Sequence, residues 1–197
     1  MNVGLYGGSF DPIHNAHLII AQYVMGELPL DKILFIPSGT PPHKDVFASP
    51  EDRLAMLKAA IKDNPKFECS EIEAWNSDMS FSVDTIETLK KDYSDDDLLF
   101  WIMGSDNFVD FDKWKNPERI KKMCTLLIFP RRNIALPIDT TQEADDIRVL
   151  VDAPVIDISS TMIRQRVLAG KSIRYLVPES VEHYLLRNKI YAHNSRS

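Results

Sequence analysis

The chain has 197 residues, 44% of them hydrophobic and 26% charged, with a formal net charge of −6 at pH 7. That length suits one soluble domain, 1–197, with a substantial core. The acidic balance argues against a nucleic-acid polymer as partner, and no apolar run reaches the roughly 18 residues of a membrane span. The first residues enter a strand-like run with no signal-peptide pattern, and Cys69 and Cys124 lie far apart without metal or redox spacing. A cytoplasmic protein with reduced thiols is expected.

In chain order, Val3-Gly4-Leu5-Tyr6 predicts a strand and residues 18–25 predict a helix. Between them lies Gly7-Gly8-Ser9-Phe10-Asp11-Pro12-Ile13-His14-Asn15-Ala16-His17, a glycine-bearing turn that opens the helix. In an open α/β sheet such a turn sits at the carboxyl ends of the strands, where ligands bind. Its free N–H groups and the helix dipole favour phosphate. His14 and His17 share one side of the first helical turn, a placement that fits capping or packing as well as ligand contact. The stretch is neither G-x-G-x-x-G nor a P-loop, and the histidine pair lacks a nearby third metal ligand.

Ile33-Leu34-Phe35-Ile36 predicts a second strand, followed by a loop over 37–50 that contains Pro41-Pro42-His43-Lys44. A helix starts near Pro50-Glu51-Asp52, with Leu54, Leu57 and Ile61 on its apolar face. Phe67-Glu68-Cys69 is a weaker strand, and Ser82 reads as the N-cap of a helix carrying Val83, Ile86 and Leu89. Leu98-Leu99-Phe100-Trp101-Ile102-Met103 predicts a central strand, ending at Gly104-Ser105-Asp106, where a carboxylate can accept hydrogen bonds from ribose or cap a helix. Phe108, Phe111 and Trp114 form an aromatic group that fits a core or a ring-binding surface. Leu126-Leu127-Ile128-Phe129 is a further strand, followed by Arg131 and Arg132; residues 133–147 read as a surface excursion. Val149-Leu150-Val151 and Val155-Ile156 supply the last strand material. A C-terminal helical segment begins at about 159, with Ser159-Ser160-Thr161 capping a helix that ends at Gly170 and a final helix beginning at Val177-Pro178-Glu179. The alternation predicts an α/β, Rossmann-like doubly wound fold: a mostly parallel sheet with helices on both faces.

Three segments together resemble one family. The first motif resembles the G-x-F-D-P-x-H-x-G-H signature of the nucleotidyltransferase α/β-phosphodiesterase superfamily, with Ala16 where the family usually has Gly. Ile158-Ser159-Ser160-Thr161-Met162-Ile163-Arg164 resembles the same superfamily's I-S-S-T-x-I-R motif, and Pro41-Pro42-His43-Lys44 recurs in bacterial nicotinate-nucleotide adenylyltransferases. The resemblance implies transfer of the adenylyl group of ATP to nicotinate mononucleotide, giving deamido-NAD and pyrophosphate, with Mg²⁺ accompanying ATP. It implies catalytic roles for His14, His17 and Arg164. It places ATP against Gly7, Gly8, Ser9, Phe10, His14, His17, Gly104, Asp106, Ser159, Ser160, Thr161 and Arg164. The pyridine nucleotide falls to Ser9, Lys44, Thr85 and Trp114. Apart from the resemblance, Arg131 and Arg132 follow a strand, a position that fits either the nucleotide or solvent. No protein-held metal is implied. A pantetheine-phosphate adenylyltransferase is the alternative enzyme, although those chains are usually shorter, carry Thr at the place of His14 and lack the Lys113-Trp114 context. A non-catalytic nucleotide sensor on the same fold is the other. The sequence leaves the oligomeric state open, a homodimer included.

Overall fold

The computed structural model describes residues 1–39, 45–76, 79–134 and 146–192. Lys44 and the rest of the Pro41-Pro42-His43-Lys44 motif lie outside the described residues. Six strands form one sheet: β1 Asn2–Gly8, β2 Lys32–Pro37, β3 Phe67–Cys69, β4 Leu98–Gly104, β5 Thr125–Phe129 and β6 Ile147–Val149. The order is β3-β2-β1-β4-β5-β6, and every pairing is parallel. Whereas the edge strands carry the exposed Glu68 and Arg148, the inner strands β1, β2, β4 and β5 read as apolar runs because both of their faces are covered. Period-two alternation divides them: Tyr6, Phe35, Ile102 and Leu127 enter one core, whereas Leu5, Leu34, Trp101 and Ile128 enter the other.

The first core is closed by α1 Asn15–Glu27, α2 Pro50–Ile61, α6 Ser160–Leu168 and α7 Glu179–Arg187, and the second by α3 Ser82–Lys90 and α5 Pro117–Met123. The short helix α4 Ser105–Val109 and a 3-10 turn, Phe111–Lys113, follow β4 directly. The strand order reverses direction at β1 and β4. A crevice therefore opens beyond their carboxyl ends, the place where this topology binds ligands.

Three element boundaries differ from the sequence reading. The last strand is Ile147–Val149, while Val155 is 53% exposed and outside any strand. An edge strand pairs on one side only, and Pro154 has no N–H to extend the ladder. The N-cap of α3 is Phe81 rather than Ser82, because the Phe81 carbonyl already accepts from the N–H groups of Asp84 and Thr85. Helix α6 stops at Leu168, and Gly170 follows at φ +63. Bonds from Gly170 N–H to Val167 O and from Lys171 N–H to Arg166 O make this a Schellman ending, which favours Gly at that position.

Candidate active site at the carboxyl ends of β1 and β4

β1 leaves the sheet through two glycines that the neighbouring rings require. A Cβ on Gly7 would lie 2.9 Å from the Trp101 ring, and one on Gly8 would lie 3.1 Å from Phe10. Phe10 has φ 45, which turns its side chain back beneath the turn, where it is 1% exposed and meets His17 edge-on at 5.1 Å. The Asp11–Pro12 peptide is cis. Ala16, the departure from the family signature, is 3% exposed, so its methyl group presents almost no surface.

His14 is the N-cap of α1 and stacks on His17 at 3.6 Å and 17°. The His14 N–H donates to His17 Nδ1 at 3.2 Å. An accepting Nδ1 places the proton of a neutral His17 on Nε2, which makes that atom a donor. His14 is 2% exposed, and its Nδ1 has no partner among the described residues. Burial, then the charge of Arg131, pushes its pKa down to about 3. At neutral pH His14 therefore offers a hydrogen bond and not a charge.

The two motifs are joined by direct bonds. Ser160 Oγ donates to Pro12 O at 2.9 Å, and Arg164 Nη1 donates to Asp11 O at 2.7 Å. Arg164 also donates to Thr161 Oγ1 at 3.2 Å, stands 3.8 Å from the Asp11 carboxylate, and has its guanidinium 4.3 Å from the centre of the Phe47 ring. Ser159 accepts from the Met162 N–H at 3.2 Å, the N-cap bond expected of it. Ser159 and Thr161 remain exposed, whereas Ser160 and Arg164 carry the structural bonds.

Across the crevice, Gly104 ends β4 with Asp106 so close that a Cβ would overlap its carboxylate. Asp106 faces Arg131 at 3.7 Å, and the buried Ser105 hydroxyl accepts from the Arg131 N–H at 2.9 Å. Arg131 thus belongs to this site. Arg132 instead pairs with Asp157 at 2.9 Å on the surface.

On the side expected to take a pyridine ring, Trp114 is half-buried and packs against the second core, with its ring 5.4 Å from that of Phe111. Thr85 is 5% exposed, and its hydroxyl donates to Glu73 Oε1 at 2.5 Å, away from any open surface. Glu73 is itself buried, and burial raises its pKa. Asp84, in the first turn of α3, pairs with Lys115 at 2.8 Å.

Sequence reasoning missed Arg53, Glu73, Lys115 and Tyr191, and quoted Asp11 without a role. Arg53 is 1% exposed and donates to the carbonyls of Ser9 at 3.0 Å and Ser38 at 2.6 Å. It ties the first motif to the end of β2. A groove of about 570 Å³ between α1 and the end of α2, floored by Phe67, lies apart and contains none of the motif residues.

Comparison with known proteins places this geometry in a class. Residues 5–166 match the model of the cytidylyltransferase-like family. Over 197 aligned residues the chain is 41% identical to a protein of Caldicellulosiruptor saccharolyticus described as a probable nicotinate-nucleotide adenylyltransferase, covering 97% of this chain and 99% of that one. A Synechococcus relative with the same description is 36% identical over 96% of this chain and 94% of its own. The chain belongs to the cytidylyltransferase-like family and, within it, to the nicotinate-nucleotide adenylyltransferases. Its fold matches Plasmodium falciparum nicotinic acid mononucleotide adenylyltransferase complexed with NaAD, with a TM-score of 0.81, 20% identity, and coverage of 96% of this chain and 97% of that one.

Proposed function

We propose that this chain transfers the adenylyl group of ATP to nicotinate mononucleotide, giving deamido-NAD and pyrophosphate. The observation that carries the reading is the pair of bonds Ser160–Pro12 and Arg164–Asp11, which assemble both family motifs at the switch point of the sheet. A phosphate oxygen of the mononucleotide attacks the α-phosphorus of ATP in line, the bond to the β-phosphate breaks, and pyrophosphate leaves. The attacking oxygen is already anionic, so no general base is required. Catalysis then rests on positioning and on donors aimed at developing charge. The neutral His14 and the Nε2 donor of His17 serve as such donors, while Ser159, Thr161 and Arg164 hold the phosphates at the start of α6.

On the acceptor side, Trp114 offers its ring to the pyridine. The Phe81 carbonyl occupies the N–H groups of Asp84 and Thr85, so a carboxylate at this helix start is left to Ser82 and Val83. Mg²⁺ is a hard cation that prefers phosphate oxygens with few protein carboxylates. Asp11 is engaged by Phe47, Ala48 and Tyr191, and Asp106 by Arg131, which fits an ion carried chiefly by ATP. No helix among the described residues is long and apolar enough to cross a membrane, which suits an enzyme of dissolved nucleotides in the cytoplasm.

The test is pyrophosphate release from ATP with nicotinate mononucleotide, nicotinamide mononucleotide or phosphopantetheine as acceptor. Release with the first, and far less with the others, is expected. Release only with phosphopantetheine, or nucleotide binding without turnover, would overturn the reading.

A further inference from the structure

After α7 the chain makes a turn that L-residues ordinarily avoid. Lys189 has φ 53 and Tyr191 has φ 61, and neither is glycine. The turn is held by bonds from Asn188 N–H to Tyr184 O and from Ile190 N–H to Leu185 O, and both Ile190 and Tyr191 pack against the first core. Its result is one long-range bond: the Tyr191 hydroxyl donates to Asp11 Oδ1 at 2.5 Å, across 180 residues of sequence. Left-handed non-glycine residues persist where the surrounding structure over-determines them, and such places cluster at functional sites.

The carboxylate at the end of this bond is no ordinary surface group. Asp11 is 1% exposed. Its Oδ1 accepts from the Ala48 N–H at 3.1 Å as well as from Tyr191, while Oδ2 accepts from the Phe47 N–H at 2.7 Å and faces Arg164 Nη1 at 3.8 Å. Burial, then the neighbouring Asp11 charge, pushes the Tyr191 pKa up, so its hydroxyl stays protonated and acts as a donor.

We propose that Tyr191 is a positioning residue for adenylyl transfer, holding the Asp11 carboxylate in the orientation that leaves Arg164 available to the phosphates of ATP. This rests on the placement of ATP at Arg164 argued above. With the hydroxyl present, Oδ1 is satisfied and Oδ2 keeps its distance from the guanidinium. Without it, Oδ1 keeps only the Ala48 N–H and Oδ2 the Phe47 N–H, and the less satisfied carboxylate draws Arg164 inward, away from the phosphates.

Tyr191→Phe removes one hydroxyl and keeps the ring that packs on the core. It should lower kcat about tenfold and raise KM for ATP, with KM for the mononucleotide within about twofold, the scale of losing one bond to a charged group. The same change in an Arg164→Ala background should add less than about twofold, since the path through Arg164 is already broken. An equal loss in both backgrounds, or unaltered kinetics, would overturn the proposal. A merely structural role predicts a lower melting temperature and an additive loss. If Tyr191→Phe does not fold, 3-fluorotyrosine at position 191 keeps the hydroxyl and strengthens it as a donor. A lower KM for ATP then supports the role, and an unchanged one refutes it. Wild-type turnover is measured first: its absence defeats the proposed function, whereas normal wild-type turnover beside a silent Tyr191→Phe defeats only the positioning role.

Discussion

Acidification from pH 7 to 5 should weaken the fold through His14. The folded chain keeps this side chain 2% exposed and neutral, with its pKa pushed from 6.5 to about 3 by burial and then by Arg131. The unfolded chain protonates it near 6.5, so between those values the unfolded state binds more protons. Stability is therefore fully present above the unfolded pKa and falls as the pH drops through the window from 6.5 toward about 3. Each pH unit inside the window costs about 1.4 kcal/mol. Reaching pH 5 costs roughly 2 kcal/mol, or about 4–8 °C in Tm for a domain of this size. Glu73 has the opposite sign: its raised pKa gives stability that is full below its ordinary value of 4.5 and lost as pH rises through the folded value. For that reason the measurement is a difference between two profiles. Tm is followed from pH 7.5 to 5 at fixed ionic strength for the wild type and for His14→Gln, which cannot titrate. The wild type should lose about 4–8 °C more than the variant across that range. Parallel profiles would mean that His14 is charged or solvated in the folded chain, and that its description as a neutral donor is wrong.

If the Nε2 donor of His17 acts on charge formed in the transition state, His17→Ala lowers kcat by about 10²- to 10³-fold; single-turnover pyrophosphate release measures this, and near-normal turnover removes His17 from the mechanism. Trp114 packs on Phe111 at 5.4 Å and also offers a stacking face, so Trp114→Ala should weaken mononucleotide binding by roughly 1–3 kcal/mol while lowering Tm. Equal rises in KM for ATP and mononucleotide would assign Trp114 to the core alone. Lys115 neutralises Asp84 at 2.8 Å beside the segment expected to hold the pyridine carboxylate. Lys115→Met should reduce the preference in kcat/KM for nicotinate over nicotinamide mononucleotide by about 3- to 10-fold, and Asp84→Asn should increase it. Tm should hardly move, because an exposed pair is worth about 1 kcal/mol at most. Shifts of the same sign in both variants would disprove the electrostatic account.

What the sequence made legible was what repeats locally. Apolar runs marked the four inner strands, because a strand covered on both faces is apolar at successive positions, whereas the edge strand Ile147–Val149 carries Arg148 and reads two residues late. The helix start at Ser159 was readable because a serine oxygen accepting an N–H three residues on is a local bond, and the start near Pro50 because a proline and acids suit a first helical turn. Phe81 broke that rule as a cap without a polar side chain, and Val155 broke the strand rule at an edge. The parts of the site that escaped are the long-range polar pairs. An arginine between Asp52 and Leu54 reads as the solvated face of a helix, yet Arg53 lies buried under the carbonyls of Ser9 and Ser38. Thr85 sits at a helix start, and only the fold reveals that Glu73 takes its hydroxyl. The motif residues themselves had a second layer of meaning. Ser160 and Arg164 read as phosphate ligands, and they also bond the backbone of Pro12 and Asp11. Such bonds hold the start of α6 rigidly against the first motif, and fixed donors are what electrostatic stabilisation of a transition state demands. They also explain the spacing of the two motifs. Segments about 150 residues apart need no sequence relation of their own, since the strand order alone delivers both to one end of the sheet. A buried carboxylate at that junction must then be satisfied by whatever the fold brings near it, and the fold brings the N–H groups of Phe47 and Ala48 and the hydroxyl of Tyr191.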